Sequence, residues 1–171
     1  VGKADIFDLL DFEKARAGGF EKIGHQGTYN ANPVAAAAGL AALRLIEAGG
    51  VCDKANAYGD AMRQGLNDVI RETGVRWAAY GEHSAVHIFT NPEDRSVGPD
   101  AFDPLALPFM ELKANAAGVV HKLRLAMLLN GVDITGWPGG TISAAHGKKE
   151  LAETLDAFRN ALAMLKAEGL V

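Results

Sequence analysis

The hydrophobic and polar positions along the chain predict helices first, and the earliest long helix begins at Asn32-Pro33. Asn32 can accept hydrogen bonds from the free amides of a helix start, and Pro33 fits the first helical position because no donor is needed there. The helix continues through alanine-rich sequence to Ile46 and ends before Gly49-Gly50. Because its side chains are small, we expect another part of the protein to pack close against its backbone.

Apolar residues that recur every three or four positions predict three further helices. One extends from about Cys52 to Thr73 and should stop at Gly74, and another extends from about Lys113 to Leu129. The C-terminal helix has the most regular apolar face, which is formed by Leu151, Leu155, Phe158, Leu162 and Leu165.

Short clusters of β-forming residues lie between these helices. Residues 75–80 and 84–90 predict two strands joined by a turn around Gly81, and prolines make residues 91–108 a loop. Two more short strands are expected, and they lie at 132–135 and 141–145. This order of elements indicates an α/β fold in which helices pack on a short, mostly antiparallel sheet.

The composition is that of a soluble globular chain. Its 171 residues are 49% hydrophobic and 22% charged, enough for one domain or a domain with an appendage. A net charge of -4 offers no basic field for nucleic acid or acidic lipid, so neither is an expected partner. The start of the sequence has no Met and no signal-peptide pattern, which indicates a chain entered partway through.

The single cysteine, Cys52, has no partner for an internal disulfide. A cytoplasmic location is therefore expected, with Cys52 as a buried or half-buried, inert thiol.

Two pairs of residues suggest chemistry, and neither has the spacing for it. His83 and His87 would lie on one face of a strand, about 13 Å apart at Cα, so we expect no metal site there. Ser143 and His146 lack the spacing of a catalytic triad, and we expect them to lie at the edge of the core where a helix begins.

The segment 25–33, directly before the first long helix, has the residues that an anion site needs. Gly27 lets the backbone approach a ligand, Thr28 offers a hydroxyl, and amides are exposed ahead of a helix. From the residues alone, this segment is either an anion site or simply a capped helix entry.

Four motifs in this order resemble the class III aminotransferases, and the glutamate-1-semialdehyde aminomutases among them. The most specific is Gly27-Thr28 with Asn32-Pro33 and the alanine-rich helix, which is similar to Gly-Thr-x-x-x-Asn-Pro-x-x-x-Ala-Ala-Gly-x-x-x-Leu. The other three matching stretches are residues 1–7, 129–132 and 142–146. Together they cover nearly the whole chain.

In that family the Gly-Thr pair binds the phosphate of pyridoxal 5'-phosphate (PLP) across the interface of a homodimer. The resemblance therefore implies a cofactor-binding role for Gly27 and Thr28. It assigns no catalytic residue to this chain, because the Schiff-base lysine and the residues around the PLP ring correspond to positions upstream of Val1.

Lysines within the chain do not replace the missing one. Lys3 matches a surface Lys/Arg position of the family, and neither Lys113 nor Lys122 lies in the expected turn where glycines follow the lysine.

The resemblance also implies a domain organisation and a reaction. Residues 1–50 would be the end of the large PLP-binding domain with its connecting helix, and residues 51–171 the C-terminal small domain. The reaction would be amino-group transfer through aldimine and ketimine intermediates on a small amino acid or amino aldehyde. The alternatives are an ω- or β-amino-acid transaminase of the same class, or a non-catalytic folding or dimerisation module.

The loop before the Ser143 motif departs from the aminomutases. Residues 135–140 are shorter than the Pro-Ser-x-x-Glu loop of the family and contain no acid, which puts the aminomutase specificity in doubt. Trp137 of this loop is either an aromatic residue on the substrate side or a packing residue.

Overall fold

The computed structural model of the chain describes residues 2–24, 27–28, 30–115 and 117–171. These residues form two compact units, of which the first covers residues 1–47 and the second residues 48–171.

Unit 1 is helical in its described part. It contains α1 (Ala4–Phe7), a 3-10 turn (Asp8–Leu10), α2 (Phe12–Gly18) and α3 (Pro33–Glu47). The prediction that Asn32 caps α3 is confirmed, because its Oδ1 accepts hydrogen bonds from the amides of Val34 (2.9 Å) and Ala35 (3.2 Å).

The helix α3 is apolar around most of its circumference, yet it has no buried residue. Large apolar side chains that are half or more exposed lie along its whole length: Val34, Leu40, Leu43, Leu45 and Ile46. A helix of this composition is normally covered on several sides.

Unit 2 contains the remaining helices and all the strands of the described residues. Its helices are α4 (Val51–Thr73), α5 (Phe109–Ala114), α6 (Ala117–Leu129) and α7 (Lys148–Ala167). Its strands are β1 (Ala78–Tyr80), β2 (Ala85–Phe89) and β3 (Gly139–Thr141), and a 3-10 turn lies at Pro104–Ala106. As predicted, α4 ends at Gly74, whose φ of 69° is the left-handed conformation that glycine favours.

The fold class is confirmed, because three helices cover one face of a small antiparallel sheet. The helix α7 packs against α4 and α6, and α4 packs against β1 and β2. The core between them is formed by the apolar faces that the periodicity predicts, including Leu66, Ile70, Leu123, Phe158 and Leu162.

Strand pairing divides the sheet residues between two faces. The order is β1-β2-β3, and the pairs Ala79 with Ile88 and Tyr80 with His87 fix the register. Ala79, Val86 and Ile88 belong to the core under the helices. Tyr80 and His87 alternate with them and therefore face the other side.

The predicted helix from about Lys113 to Leu129 is confirmed from Ala117 to Leu129, but its start is wrong, because Asn115 separates α5 from α6 with φ 32° and ψ 143°. The Thr90 hydroxyl donates a hydrogen bond of 2.9 Å to Asn115 Oδ1. This contact between residues far apart in sequence holds Asn115 at the break between the helices. Ala116, next to it, lies outside the described residues.

The two C-terminal strand predictions also need correction. Residues 132–135 are no strand, because the amide of Val132 bonds to Met127 O (3.0 Å) at the end of α6 and the amide of Thr135 bonds to Gly139 O (3.3 Å). The last strand lies at Gly139–Thr141 and not at 141–145, since side chains fold residues 143–146 into a turn.

The Cys52 prediction is wrong as well. Cys52 is exposed near the start of α4, a position that the periodic pattern alone did not reveal.

Among the described residues, no single helix has the length and apolarity needed to cross a membrane. Only α3 and α4, taken together across their break, meet those criteria of length and composition.

Candidate functional site

Gly27 begins a tight turn ahead of α3. The amide of Asn30 donates to Gly27 O at 3.0 Å, and a Cβ on residue 27 would lie 2.3 Å from Asn30 Oδ1. Any side chain at this position would displace the Asn30 amide group. Glycine at this position leaves the Asn30 amide group in place.

The amides at the start of α3 are already satisfied. Asn32 Oδ1 accepts from Val34 and Ala35, and Asn32 O accepts from Ala36 at 2.9 Å. An anion in this region would consequently be held by the turn before the cap and not by the helix terminus itself.

Thr28 is exposed in this turn, and its hydroxyl has no hydrogen-bond partner among the described residues. Gly27 beside it is exposed too. A free hydroxyl next to a backbone without a side chain fits a phosphate oxygen. The other residues of the predicted segment, His25, Gln26 and Tyr29, lie outside the described residues.

An aromatic cluster on the second face of the sheet is the feature that sequence reasoning missed. The His87 ring lies between Tyr80 (centroids 5.1 Å apart) and Trp137 (5.0 Å), and Phe102 extends the cluster from Tyr80 (5.3 Å). Burial lowers the pKa of His87, and the positive charge of Arg63 lowers it further. In the sequence, the alternation of His87 with Val86 and Ile88 indicates that His87 lies on the other face of the strand. It does not indicate which rings His87 contacts.

The structure separates the two histidines that were considered as metal ligands. His83 lies in the turn between β1 and β2 with φ 52°, whereas His87 is stacked in β2. The parts of the chain that the structure describes contain no group of three or more side chains that could hold a metal ion.

A cavity of about 370 Å³ lies between α4, α7 and the sheet, with an apolar floor that includes Met62 and Phe158. Tyr58 lies at the edge of this cavity. Burial raises the pKa of Tyr58, and the negative charge of Glu150 raises it further. Glu150 itself accepts from the Gly147 amide at 2.8 Å and so caps α7. This carboxylate serves the helix start.

Comparison with known proteins finds similar enzymes, although no protein-family model matches the chain. A glutamate-1-semialdehyde 2,1-aminomutase of Methanothrix thermoacetophila is 32% identical over 136 residues, which are 78% of this chain and 28% of that protein. A transaminase solved with PLP bound superposes with a TM-score of 0.64 and 29% identity, over 87% of this chain and 31% of that one.

Over most of its length the chain is similar to aminomutases and transaminases, which is consistent with a C-terminal fragment of a class III aminotransferase.

An ω-transaminase from Sphaerobacter thermophilus is also similar, with a TM-score of 0.61, 30% identity, and coverage of 95% of this chain and 34% of that one. The chain spans 28% to 35% of the length of three aminomutase relatives that it matches. Such coverage is consistent with the C-terminal portion that the motifs indicate.

Among the described residues, the three lysines considered for the Schiff base have no catalytic surroundings. Lys3 is exposed directly before the four-residue helix α1. Lys113 Nζ lies 5.9 Å from the centroid of the Phe109 ring, and Lys122 pairs with Glu168 at 2.5 Å.

Ser143 and His146, within the last family motif, form a turn before α7. His146 Nδ1 accepts from the Ser143 amide at 3.1 Å, and Ser143 Oγ accepts from the Ala145 amide at 3.3 Å. The serine oxygen thus bonds to the backbone and not to the imidazole. The pair supports the entry of the helix, as the sequence favoured.

Proposed function

We propose that this chain forms part of a PLP-dependent enzyme that transfers amino groups and resembles the glutamate-1-semialdehyde aminomutases. The similarity to glutamate-1-semialdehyde aminomutases supports this function, as does the similarity to a transaminase that has PLP bound. When bound, PLP supplies an electron sink for the carbon that carries the amino group. The substrate of the enzyme would be a small amino acid or amino aldehyde.

The observation that carries the cofactor proposal is the geometry at Gly27 and Thr28. Gly27 leaves room for the Asn30 amide group beside the turn, and the cap by Asn32 fixes the start of α3 directly after it. Thr28 would donate its hydroxyl, and the backbone amides of the pair would donate to the phosphate oxygens. These residues anchor and orient the cofactor.

An ω-transaminase is the second candidate function. Two observations favour it: the similarity to the Sphaerobacter thermophilus enzyme, and the absence of an acid from residues 135–140. In place of the acid, the loop carries Trp137, whose side chain is packed against His87 and 45% exposed.

We further propose that the enzyme is a homodimer, with the phosphate bound across the subunit interface. The exposed apolar side chains of α3 support an extensive contact, because a surface of this kind is usually covered by another protein surface.

Replacement of Thr28 by valine in the full-length enzyme tests the phosphate site. Thr28→Val keeps the shape of the side chain and removes one charge-assisted hydrogen bond, worth about 1.5–3 kcal/mol. We expect the dissociation constant for PLP to rise by roughly ten- to a hundredfold, measured by titration of the apo-enzyme. At saturating PLP, activity should persist.

Two variants serve as controls for this titration. Thr141→Val changes an exposed threonine on β3 and should leave the affinity for PLP unchanged. Asn32→Ala removes the cap of α3 and should lower the free energy of unfolding by about 1 kcal/mol. A Thr28→Val enzyme with an unaltered dissociation constant would exclude the proposed site.

A further inference from the structure

Two cavities of unit 2 adjoin each other beside the aromatic cluster. The first has a volume of about 450 Å³ and the second about 260 Å³. Both are lined by Lys113, Asn115, Trp137 and Pro138, so they form one continuous depression. We call it the Trp137 groove.

One half of the Trp137 groove is apolar and aromatic. It adds Tyr80, His87, Phe109 and Leu112 to the shared residues. His87 is stacked on Tyr80 and tilted against Trp137, and its pKa lies below the ordinary value, so it adds no positive charge at neutral pH. A flat apolar group can pack against such a surface.

The other half is polar. It adds His121 and Arg124, and no aspartate or glutamate is among the described residues that line either half. Arg124 is bonded to Asp133 at 3.0 Å, which compensates its charge. Lys113 has no ion pair within the described ranges, and its Nζ lies over the ring of Phe109.

Several contacts fix the walls of the groove before any ligand binds. Asn115 accepts from the Thr90 hydroxyl, and Pro138 is fully buried with its carbonyl bonded to the Ile88 amide at 2.8 Å. Glu111, two residues before Lys113, is held by Arg95 through hydrogen bonds of 2.5 and 2.7 Å. Preorganised walls lower the entropic cost of binding.

We propose that the Trp137 groove binds a small organic carboxylate with an aryl-sized apolar body. The body packs against the rings of the apolar half, and the carboxylate pairs with Lys113 Nζ. A volume of about 450 Å³ is in the range of small-molecule sites, and one uncompensated cation suits one carboxylate. The site belongs to unit 2 alone and does not rest on the proposed role of Gly27 and Thr28.

Calorimetric titration of the 171-residue chain with 3-phenylpropionate tests the proposal, and 3-phenylpropionamide is the uncharged probe of the same size. We expect the carboxylate to bind at least tenfold more tightly than the amide. Lys113→Gln should remove this difference by weakening the carboxylate alone. Trp137→Leu should weaken both probes, and circular dichroism checks that each variant is folded.

Lys148→Gln provides the matched control, since Lys148 is an exposed lysine of α7 that lines neither half of the groove. It should bind both probes as the unmodified chain does. Equal affinity for the two probes, no binding of the carboxylate at millimolar concentration, or the same loss in Lys113→Gln and Lys148→Gln would overturn the proposal.

Discussion

Asn67 on α4 satisfies the outer edge of β1, where no further strand of the described residues is paired. Its Nδ2 donates to Ala79 O at 2.9 Å, and its Oδ1 accepts from the Ala79 amide at 2.8 Å. One side chain thus makes the two hydrogen bonds that a neighbouring strand would make. Without it, a half-buried amide and carbonyl would lack partners.

We predict that Asn67→Ala lowers the free energy of unfolding by about 2 kcal/mol, because both backbone groups lose their partner. Urea denaturation measures this loss. Asn160→Ala is the control, since Asn160 is exposed and donates to Asn130 Oδ1 at 3.1 Å, and it should cost less than about 0.5 kcal/mol. Similar losses for the two variants would show that Asn67 does not support β1.

At the scale of elements, the long excursion from β2 to α5 is held at several points. The side chain of Asn91 donates to Arg95 O and accepts from the Arg95 amide, and the Arg95 side chain reaches the carboxylate of Glu111 on α5. These bonds give a proline-containing segment a defined path. They also position α5 beside the Trp137 groove.

The ion pair of this excursion predicts a pH dependence. Hydrogen bonds from Arg95 hold the pKa of Glu111 below its ordinary value. The carboxylate therefore stabilises the fold fully above the pKa of the unfolded state, and this stability is lost as the pH falls through the folded pKa. Glu111→Gln should lower Tm at neutral pH, and the difference from the unmodified chain should shrink below about pH 4.

Thermal unfolding at several pH values measures the effect of Glu111→Gln. The control is Glu82→Gln, which changes an exposed glutamate in the turn between β1 and β2 and should leave Tm nearly constant at each pH. A difference in Tm for Glu111→Gln that stays the same from neutral to acidic pH would contradict the proposed contribution of the charge.

At the scale of the whole molecule, α3 predicts assembly. Its large apolar side chains are exposed, and such a surface favours a homodimer with an extensive contact. We expect light scattering of the full-length enzyme at micromolar concentration to give twice the mass of one subunit. Leu43→Glu should weaken the dimer, whereas Leu105→Glu, the same change at an exposed position of unit 2, should not. A strictly monomeric enzyme would contradict the prediction.

Much of the fold was predictable where local chemistry decides it. Asn32 marks a helix start through its hydrogen bonds to nearby amides, and Gly74 marks a helix end through its own backbone angles. The apolar faces of α4 and α7 follow from the spacing of their apolar residues. The candidate site was predictable in one part only. The Gly27-Thr28 motif is continuous in sequence, whereas the Trp137 groove combines residues from β1, β2, α5 and a distant loop.

The sequence by itself determined the long helices, their caps, the fold class and the family, because each depends on neighbouring residues or on a continuous motif. Only the tertiary structure decided the break between α5 and α6, where Thr90 bonds to an asparagine 25 residues away. It also decided the loss of the strand at 132–135, whose amides bond to the end of α6 and to Gly139. Such contacts leave no local signal, because the energy that selects the backbone conformation comes from partners that only folding brings near.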